Sequence, residues 1–413
     1  MTALRSLVVV GGSLAGLRAV EAAREVGYEG RITIVGRERH LPYDRPPLSK
    51  KYLDEDAPED LPLHLSAAAL DELGAELVLG EPASALDADG RRVAVGDEWI
   101  GYDALVIATG AVARTLPGTQ GTRGVHTLRK VEDATAVREA LDRGARTVVI
   151  GAGFIGSEIA TAARKRGLSV TLLEAMRVPL AHAIGAEMGE AVSRLHERNG
   201  ARLHCGVAVS GVSGERQVEG VVLTDGTELE ADLVVVGIGA VPATDWLRSS
   251  PLDVADGVAC DDTLNTGVPG VYAAGDVAKW NSKLFGRALR IEHWTVAEEQ
   301  GRLAARNALA PELAQPYDAV PYFWSDCYGN RIQFAGVAEA DEVAVVEGDA
   351  DSTRFTALYR SGDRLGGVLT MNRPGQCARF QALLASGADW ETALSRAKPG
   401  SRGSASQIGR LNR

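Results

Sequence analysis

The first part of the chain contains short, mostly apolar runs and, between them, a stretch with apolar side chains at helical spacing. Residues 7–10 form an unbroken apolar run, which predicts a strand that is buried on both faces. A glycine-rich turn follows, and residues 17–26 then carry apolar side chains at helical spacing. The next apolar run, at 31–36, predicts a second strand. Strand, turn, helix and strand in this order indicate a βαβ unit of a parallel sheet.

The same pattern returns later in the chain. Thr147 and the apolar residues 148–150 predict a strand, and a second glycine-rich turn follows it. The pattern then predicts a helix at 157–166 and a strand at 169–173. A repeat at this long spacing is a duplicated domain and excludes a solenoid. Two further apolar runs, 102–110 and 231–239, predict strands that complete the two sheets.

Each glycine-rich turn places backbone N–H groups at the N-terminus of a helix, where the helix dipole favours a phosphate. The first glycine permits the tight turn, and the last lets the helix pack on the strand. We therefore predict that the two turns bind two dinucleotides. The candidate residues are Gly11, Gly12, Ser13, Leu14, Ala15 and Gly16 (the first fingerprint) and Gly151, Gly153, Phe154, Ile155 and Gly156 (the second fingerprint). Ser13 replaces the usual middle glycine, and its hydroxyl can itself donate to a phosphate.

An acidic residue follows the second strand of each unit. Glu38 and Glu174 stand where a carboxylate accepts hydrogen bonds from an adenosine ribose. One such pattern also fits an ordinary glycine-rich turn, but two complete copies favour two bound dinucleotides. The apolar run that begins at 270 ends in Gly275 and Asp276. Asp276 is predicted either to accept from cofactor hydroxyls or to cap the segment that follows.

The order of these elements predicts an α/β fold with two Rossmann-like dinucleotide-binding domains and a C-terminal α+β domain. The first domain is expected to comprise residues 1–111 and 238–317, with the second, 112–237, inserted into it. Short alternating segments within 318–397 predict an antiparallel sheet with a helix. Residues 398–413 are rich in glycine, serine and basic residues, which predicts a flexible tail.

Composition narrows the functional classes. The net charge of −11 argues against nucleic acid as a partner. No apolar run approaches the roughly 20 residues that span a bilayer, and no secretory leader is recognisable, so we expect no membrane association and a cytoplasmic location. The four cysteines, at positions 205, 260, 327 and 377, stand too far apart for a C-x-x-C pair. Neither they nor the histidines have metal-binding spacing, so no metal site is expected.

Four longer motifs carry a resemblance to a known family. They are residues 41–50, 153–158, 291–294 and 321–326. Together with the two fingerprints, they resemble the NADH-dependent ferredoxin reductases, which are two-dinucleotide flavoproteins with a glutathione-reductase-like fold. The chain departs from the family pattern at Ser13, at Arg37, where an acid is frequent, and at Cys327, where glutamine is frequent.

The resemblance implies FAD in the first domain and NADH in the second. It also implies cofactor contacts from Arg45, Lys50, Ala83, Ala108, Thr109, Gly110, Arg129, Gly275, Asp276, His293 and Trp294 for FAD, and from Glu158 and Gly239, with Glu174, for NAD. Lys50 and Glu158 are the implied catalytic pair near the reacting atoms. Hydride moves between the two cofactors, so these residues would act by position and charge. The structural alternatives are surface charges for Lys50 and Glu158 and a core aromatic for Trp294.

The implied activity is that of an FAD-dependent NADH:ferredoxin oxidoreductase. Electrons would pass from NADH through FAD to a [2Fe–2S] ferredoxin that serves a cytochrome P450 or a ring-hydroxylating dioxygenase, and the enzyme would be a monomer or weak dimer. A rubredoxin reductase and an NADH-binding flavoprotein redox sensor remain alternatives. Disulfide reductases of this superfamily use cysteines near the flavin, and residues 38–53 contain none.

A basic docking patch is expected at Arg287, Arg290, Arg302 and Arg306. Small [2Fe–2S] ferredoxins are commonly acidic, so an acidic reductase needs a local basic surface to bind one. Arg302 and Arg306 are four residues apart on the helix predicted at 296–309, and therefore share one face of it. The alternative is a solvated helix face without a partner.

Overall fold

The structure of the protein, a computed structural model, describes residues 4–57 and 60–397, so the predicted tail at 398–413 lies outside the described residues. The described chain forms two compact units. Unit 1 comprises the described residues up to Asp44, with Asp60–Val112 and Ala240–Pro321; unit 2 comprises the described part of Arg45–Glu59, with Ala113–Gly239 and the described residues from Tyr322 onwards. The predicted domain boundaries stay a prediction.

The helices and strands of the described residues are numbered in chain order. The α-helices are α1 (Leu14–Glu25), α2 (Ala67–Glu72), α3 (Val131–Asp142), α4 (Phe154–Lys165), α5 (Ala181–Ile184), α6 (Ala186–Arg198), α7 (Trp294–Leu309), α8 (Pro374–Ala385) and α9 (Trp390–Arg396). The strands up to residue 113 are β1 (Ser6–Val10), β2 (Arg31–Gly36), β3 (Ala75–Leu79), β4 (Ala83–Asp87), β5 (Arg92–Val95), β6 (Glu98–Gly101), β7 (Ala104–Ile107) and β8 (Ala111–Ala113).

The remaining strands follow the same numbering. Those between residues 125 and 242 are β9 (Val125–His126), β10 (Thr147–Ile150), β11 (Val170–Glu174), β12 (Arg202–Cys205), β13 (Val209–Ser213), β14 (Gly220–Leu223), β15 (Glu228–Glu230), β16 (Leu233–Val236) and β17 (Ala240–Pro242). The last are β18 (Val258–Cys260), β19 (Val271–Ala273), β20 (Ala278–Ser282), β21 (Arg287–Leu289), β22 (Tyr322–Cys327), β23 (Asn330–Gly336), β24 (Glu342–Gly348), β25 (Phe355–Ser361) and β26 (Arg364–Met371).

Unit 1 is built on a parallel sheet of order β19-β7-β1-β2-β3. The strand before the first fingerprint, β1, is central, and its Leu7–Val10 side chains are buried because other strands or helices cover both faces. A second, antiparallel sheet of order β4-β5-β6 begins with the hairpin that joins β4 to β5 through Asp89 and Gly90. The return of the chain into this unit through β19 agrees with the strand predicted from 270.

Unit 2 contains a parallel sheet of the same plan, with order β12-β11-β10-β16-β9. The strand before the second fingerprint, β10, is again central. The unit also contains an antiparallel sheet of order β22-β23-β26-β25-β24, which α8 accompanies. One face of this sheet shares an apolar core with α5 and α6, in which Ile184, Met188, Phe334 and Tyr359 are buried. These elements confirm the predicted α/β class with two Rossmann-like sheets and a C-terminal α+β part.

Helix starts are the main difference from the predicted elements. The first fingerprint helix begins at Leu14 instead of residue 17, and the second at Phe154 instead of residue 157. Each helix therefore includes the last glycine of its fingerprint, Gly16 or Gly156. A glycine is unfavourable inside an isolated helix, but here it allows the close approach to the preceding strand that the fold requires.

Close packing of α7 on α1 stabilises unit 1. A Cβ atom added at Gly301 would lie 2.2 Å from the carbonyl oxygen of Ala15, on the helix of the first fingerprint. Only glycine therefore permits the observed distance between the two helices. Gln300, beside Gly301, is fully buried and accepts a hydrogen bond from the Gly275 N–H at 2.9 Å, which connects α7 to the turn after β19.

We predict that Gly301→Ala lowers the free energy of unfolding by roughly 1–3 kcal/mol, the usual penalty for overpacking. Gly375→Ala is the matched control, because it is also a helical glycine and an added Cβ would meet no other described atom within 4 Å. Urea titration monitored by circular dichroism measures both variants. Equal stability of the Gly301→Ala variant and the native protein would contradict this account of the α1–α7 contact.

Candidate functional site

The first fingerprint is a turn that only glycine can form at its two ends. Gly11 has a φ of +133°, and its N–H donates to the Val35 carbonyl at 2.7 Å. A Cβ atom at Gly11 would lie 2.0 Å from the Ala108 carbonyl oxygen, and one at Gly16 would lie 1.9 Å from the Gly11 oxygen. The predicted cofactor residues Ala108, Thr109 and Gly110 thus follow β7 directly beside the fingerprint.

The helix that begins after this turn presents a positive end. Ser13 is the N-cap residue of α1, with extended backbone, and the first turn of α1, which is fully described, has no acidic residue. Backbone N–H groups of a first helical turn lack intrahelical acceptors, so this end favours an anion. A phosphate is the anion that fits the turn.

The carboxylate of Glu38 lies two residues beyond the end of β2. It is half-buried and accepts a hydrogen bond from the buried Tyr43 hydroxyl, which belongs to the motif at 41–50. Arg37, the departure from the family pattern, is exposed. A carboxylate offers several acceptor positions on its two oxygens, which is the chemistry that a ribose hydroxyl requires.

The N-terminus of α7 carries two of the predicted flavin residues. Trp294 is the first residue of α7, and its indole Nε1 donates to Asp44 Oδ1 at 2.7 Å. His293 is the N-cap residue, and burial lowers the pKa of its imidazole to about 4, although Asp276 opposes the shift. The imidazole is therefore neutral at physiological pH and adds no charge to the positive end of the helix.

The second fingerprint repeats the geometry of the first. Gly151 has a φ of +99°, its N–H donates to the Leu173 carbonyl at 2.7 Å, and an added Cβ would lie 2.2 Å from the Gly237 oxygen. A Cβ at Gly156 would lie 2.1 Å from the Gly151 oxygen, whereas one at Gly153 would meet no described atom within 4 Å. The backbone of Gly153 is therefore open to the approach of a ligand.

Both carboxylate oxygens of Glu174, the acidic residue of the second unit, accept hydrogen bonds from backbone N–H groups. Its Oε2 accepts from the Ala152 N–H and its Oε1 from the Met176 N–H, each at 2.9 Å. The first contact connects the acid to the fingerprint itself. These two donors fix the carboxylate beside the turn at the end of β11, where a ribose would be bound.

Glu158 is a buried carboxylate on the second turn of α4. Its side chain is 4% exposed, and Lys50 Nζ lies 2.9 Å from Oε1. Ser325 Oγ donates to Oε1 and Ser49 Oγ to Oε2, each at 2.5 Å. Burial of a carboxylate is unfavourable unless it is paired and hydrogen-bonded, and three donors meet that requirement here. The structure thus brings Lys50 and Glu158 together, and neither is an isolated surface charge.

Ser49 and Ser325 were not among the sequence candidates. Both lie inside the quoted motifs, at 41–50 and 321–326, so those motifs were the only signal that could have found them. Phe154, a sequence candidate of the second fingerprint, packs against the Phe323 ring at 4.9 Å between centroids. The same strand, β22, thus contacts both the start and the second turn of α4.

The remaining sequence candidates lie in both units. Arg45 belongs to unit 2, and its guanidinium donates to the Arg129 carbonyl at 2.7 Å. Gly239 has a φ of +92°, and its carbonyl accepts the Arg114 N–H at 2.9 Å. Ala83 begins β4, and Asp276 lies in the turn after β19. Ile155 is 41% exposed at the start of α4.

A buried polar chain lies beside Glu158 on α4. The Ser157 hydroxyl lies 3.2 Å from His196 Nε2, and the other ring nitrogen lies 2.9 Å from the Tyr328 hydroxyl. Burial lowers the pKa of His196 to about 4. Cys327, the departure from the family pattern, is buried next to this chain, with its sulfur 3.9 Å from the Ser157 carbonyl oxygen. These contacts attach the α4–α6 pair to the β22–β23 hairpin.

Three of the four arginines of the predicted docking patch form ion pairs with acidic residues, and the docking role itself stays a prediction. Arg302 pairs with Glu21 and Glu25 of α1, and Arg306 with Glu25, at 2.7–3.2 Å. Arg290 pairs with Asp256 and Glu292. The shared helix face of Arg302 and Arg306 was predicted correctly, but that face lies along the acidic residues of α1, so its positive charge is neutralised.

The cysteines within residues 4–57 and 60–397 form no disulfide, and no metal-ligand group is found in this part of the chain. Cys205 is exposed, the other three cysteines are buried, and none forms a disulfide. Burial raises the pKa of the Cys260 and Cys327 thiols to about 12 and that of Cys377 to about 11. No three His, Cys, Asp or Glu side chains of this part of the chain are grouped to hold a metal ion. Its helices are all too short or too polar to cross a bilayer.

Comparison with known proteins gives consistent matches over nearly the whole described chain. Residues 5–301 match the pyridine nucleotide-disulphide oxidoreductase family, and residues 322–397 match the reductase C-terminal family. Rhodocoxin reductase from Rhodococcus erythropolis is 36% identical over 383 residues, which cover 92% of this chain and 89% of the relative. The ferredoxin–NAD(+) reductase component of the anthranilate 1,2-dioxygenase system from Burkholderia cepacia is 36% identical over 384 residues, 92% and 94% of the two chains.

A solved structure gives the same relationship in three dimensions. The reductase chain of the covalent putidaredoxin reductase–putidaredoxin complex has a TM-score of 0.90 and 31% sequence identity to this chain. The match covers 98% of this chain and 100% of that chain.

We predict that stability falls with decreasing pH because of His196. Its folded pKa of about 4 lies below the ordinary value near 6.5, so the unfolded chain binds the proton more readily. The stabilisation is complete above pH 6.5 and declines as the pH falls towards 4, by about 1.4 kcal/mol per pH unit. His196→Gln removes only the His196 part of this slope and leaves the part due to His293, whose pKa burial also lowers to about 4. His182→Gln, on an exposed side chain of α5, leaves the whole slope unchanged. Urea unfolding between pH 7 and 5.5 is the measurement, and parallel slopes for native protein and His196→Gln would contradict the assignment.

Proposed function

Because the chain belongs to the pyridine nucleotide-disulphide oxidoreductase family and carries its reductase C-terminal domain, we propose that it is an FAD-dependent NADH:ferredoxin oxidoreductase. The observation that carries the proposal is the pair of fingerprints, each closed by glycines whose Cβ atoms would collide with backbone. One such turn serves one dinucleotide, and two serve a bound flavin dinucleotide together with a pyridine dinucleotide.

Unit 1 supplies the groups that would hold FAD. The first fingerprint binds the pyrophosphate through the N-terminus of α1, and Glu38 accepts from the adenosine ribose. The N-terminus of α7, with Trp294 at its first position, is a positive helix end that would favour negative charge on a flavin bound beside it. Bound FAD supplies the redox chemistry, since a flavin accepts a hydride and releases electrons one at a time.

Unit 2 supplies the groups that would hold NADH. The second fingerprint binds the pyrophosphate at the N-terminus of α4, and Glu174, fixed by two backbone N–H groups, accepts from the adenosine ribose hydroxyls. Glu158 orients the nicotinamide, and Lys50 places a positive charge beside the Glu158 carboxylate. Neither residue donates or removes a proton in the hydride transfer, so both act by position and charge.

The acceptor is a ferredoxin of the [2Fe–2S] type that supplies an oxygenase. Support comes from the relatives, whose names include a rhodocoxin reductase and the reductase of an anthranilate dioxygenase system. A monomeric or weakly dimeric enzyme in the cytoplasm, where NADH is available, belongs to the same proposal. Arg302 and Arg306 are paired with glutamates of α1, which reduces the net positive charge of the surface expected to bind the ferredoxin.

The proposal is tested by the cofactor and by the choice of acceptor. Mass spectrometry of the released cofactor identifies FAD, and finding FMN, or no flavin in folded protein, contradicts the assignment of the first fingerprint. Purified protein is then assayed with NADH and a panel of one-electron and dithiol acceptors. Rapid reduction of a [2Fe–2S] ferredoxin is expected. Faster reduction of a rubredoxin identifies a rubredoxin reductase, and slow turnover with every acceptor identifies a redox sensor.

We predict a preference for NADH over NADPH that depends on the charge of Glu174. A carboxylate that accepts from the ribose 2′-hydroxyl repels a 2′-phosphate in the same place. Glu174→Gln should reduce the ratio of kcat/KM for NADH to that for NADPH by about tenfold, because removing one charge repulsion changes the free energy by roughly 1.4 kcal/mol. Glu190→Gln, on the exposed side of α6, is the control and leaves the ratio unchanged. Equal use of the two donors by the native protein would refute the assignment.

A further inference from the structure

The hydrogen bonds of Glu158 come from stretches that lie far apart along the chain. Ser49 and Lys50 belong to the motif at 41–50, Glu158 to the helix of the second fingerprint, and Ser325 to β22 of the C-terminal sheet. Ser49 contacts Oε2, whereas Oε1 is shared by Ser325 and Lys50. Both carboxylate oxygens therefore have at least one donor within unit 2.

The direction of the two serine hydrogen bonds follows from the chemistry of the partner. An ionised carboxylate only accepts, so both hydroxyls must give their single proton to Glu158. Hydroxyl–carboxylate hydrogen bonds at 2.5 Å are at the short end expected for a charged acceptor. Each serine thus donates a hydrogen bond to one carboxylate oxygen and restricts the rotation of the carboxylate.

The two serines lie on elements with few conformational alternatives. Ser325 is fully buried and pairs with Ile332 across the β22–β23 ladder, next to the apolar core shared with α6. Ser49 ends a 3₁₀ turn that begins with Pro46, whose fixed φ limits its conformations. A charged group is best oriented by partners that cannot themselves move. The carboxylate is therefore clamped between a proline-stiffened turn and a sheet.

We propose that Ser49 and Ser325 are positioning residues for hydride transfer, and that the C-terminal sheet is a working part of the NADH site. The inference rests on the proposed function, in which Glu158 orients the nicotinamide. Ser325 fixes the oxygen that also binds Lys50, so it fixes the distance between the two charges of the pair. Ser49 prevents the carboxylate from turning away from that position.

A double-mutant cycle separates this role from simple packing. FAD-loaded native protein, Ser325→Ala, Glu158→Gln and the double variant are mixed with NADH in an anaerobic stopped-flow instrument. This gives the limiting rate of flavin reduction and the dissociation constant of NADH separately. Ser325→Ala should lower the limiting rate about tenfold with little change in the dissociation constant, the loss expected for one hydrogen bond to a charged group. In the Glu158→Gln background the same change should alter the rate by less than about twofold, because Ser325 acts only through Glu158.

Further variants guard against misfolding and nonspecific effects. Ser325→Thr keeps the hydroxyl and should recover most of the rate, and Ser49→Ala should give a smaller loss of the same kind. Ser193→Ala is the control, because this buried serine donates to the Glu190 carbonyl and has no contact with Glu158. A readout independent of turnover is the crystal structure of Ser325→Ala, in which the distance from Lys50 Nζ to Glu158 Oε1 should exceed about 4 Å.

The outcomes distinguish this inference from the proposed function. If the native protein is not reduced by NADH, the proposed function fails, and the positioning role fails with it. If the native protein is reduced but the effects of Ser325→Ala and Glu158→Gln are additive, the positioning role alone is wrong. An unchanged rate in Ser325→Ala, or an equal loss in Ser193→Ala, also overturns it.

Discussion

The backbone approaches closely where each parallel sheet meets its fingerprint helix, so that no Cβ atom fits there. In both units the fingerprint strand is central in its sheet, and the first glycine of the turn touches the carbonyl at the end of the neighbouring strand, Ala108 or Gly237. Any side chain at Gly11 or Gly151 would push the helix away from the sheet. This steric constraint brings the N-terminus of α1 or α4 to the edge of the sheet, where a pyrophosphate can reach it. In each unit the acidic residue lies at the same edge of its own sheet, Glu38 two residues beyond β2 and Glu174 at the end of β11.

A second constraint is electrostatic and belongs to unit 2. Glu158 is almost completely removed from water, and its charge is tolerable only because Lys50 and two serine hydroxyls surround it. Those partners come from a turn and from the C-terminal sheet, so the burial of one carboxylate joins sequence-distant segments. Hydride transfer between two bound cofactors needs little chemistry from the protein, and fixed charges of this kind are the contribution that remains for it.

Much of the fold was predictable because it depends on local patterns. Apolar runs, glycine turns and acids recur in one order, and this order specified both Rossmann-like sheets and the position of Glu174. The partners of surface charges were not predictable in the same way. Helical spacing placed Arg302 and Arg306 on one face, but only tertiary structure reveals that the face lies against Glu25 of α1. Serines are common and carry no periodic signal. The contact of Ser325 with Glu158 depends on the position of β22 beside α4, which is a tertiary feature that the sequence pattern does not predict.

The central claim is that this chain converts the two electrons of NADH into single-electron deliveries to an iron–sulfur protein. The most direct measurement is an anaerobic titration with NADH of a mixture that contains a catalytic amount of the FAD-loaded protein and an excess of oxidised [2Fe–2S] ferredoxin. The absorbance of NADH and of the cluster is recorded together. The account predicts that two ferredoxin molecules are reduced for each NADH consumed, and none when the protein is omitted. Consumption of NADH while every [2Fe–2S] ferredoxin tested stays oxidised would contradict it.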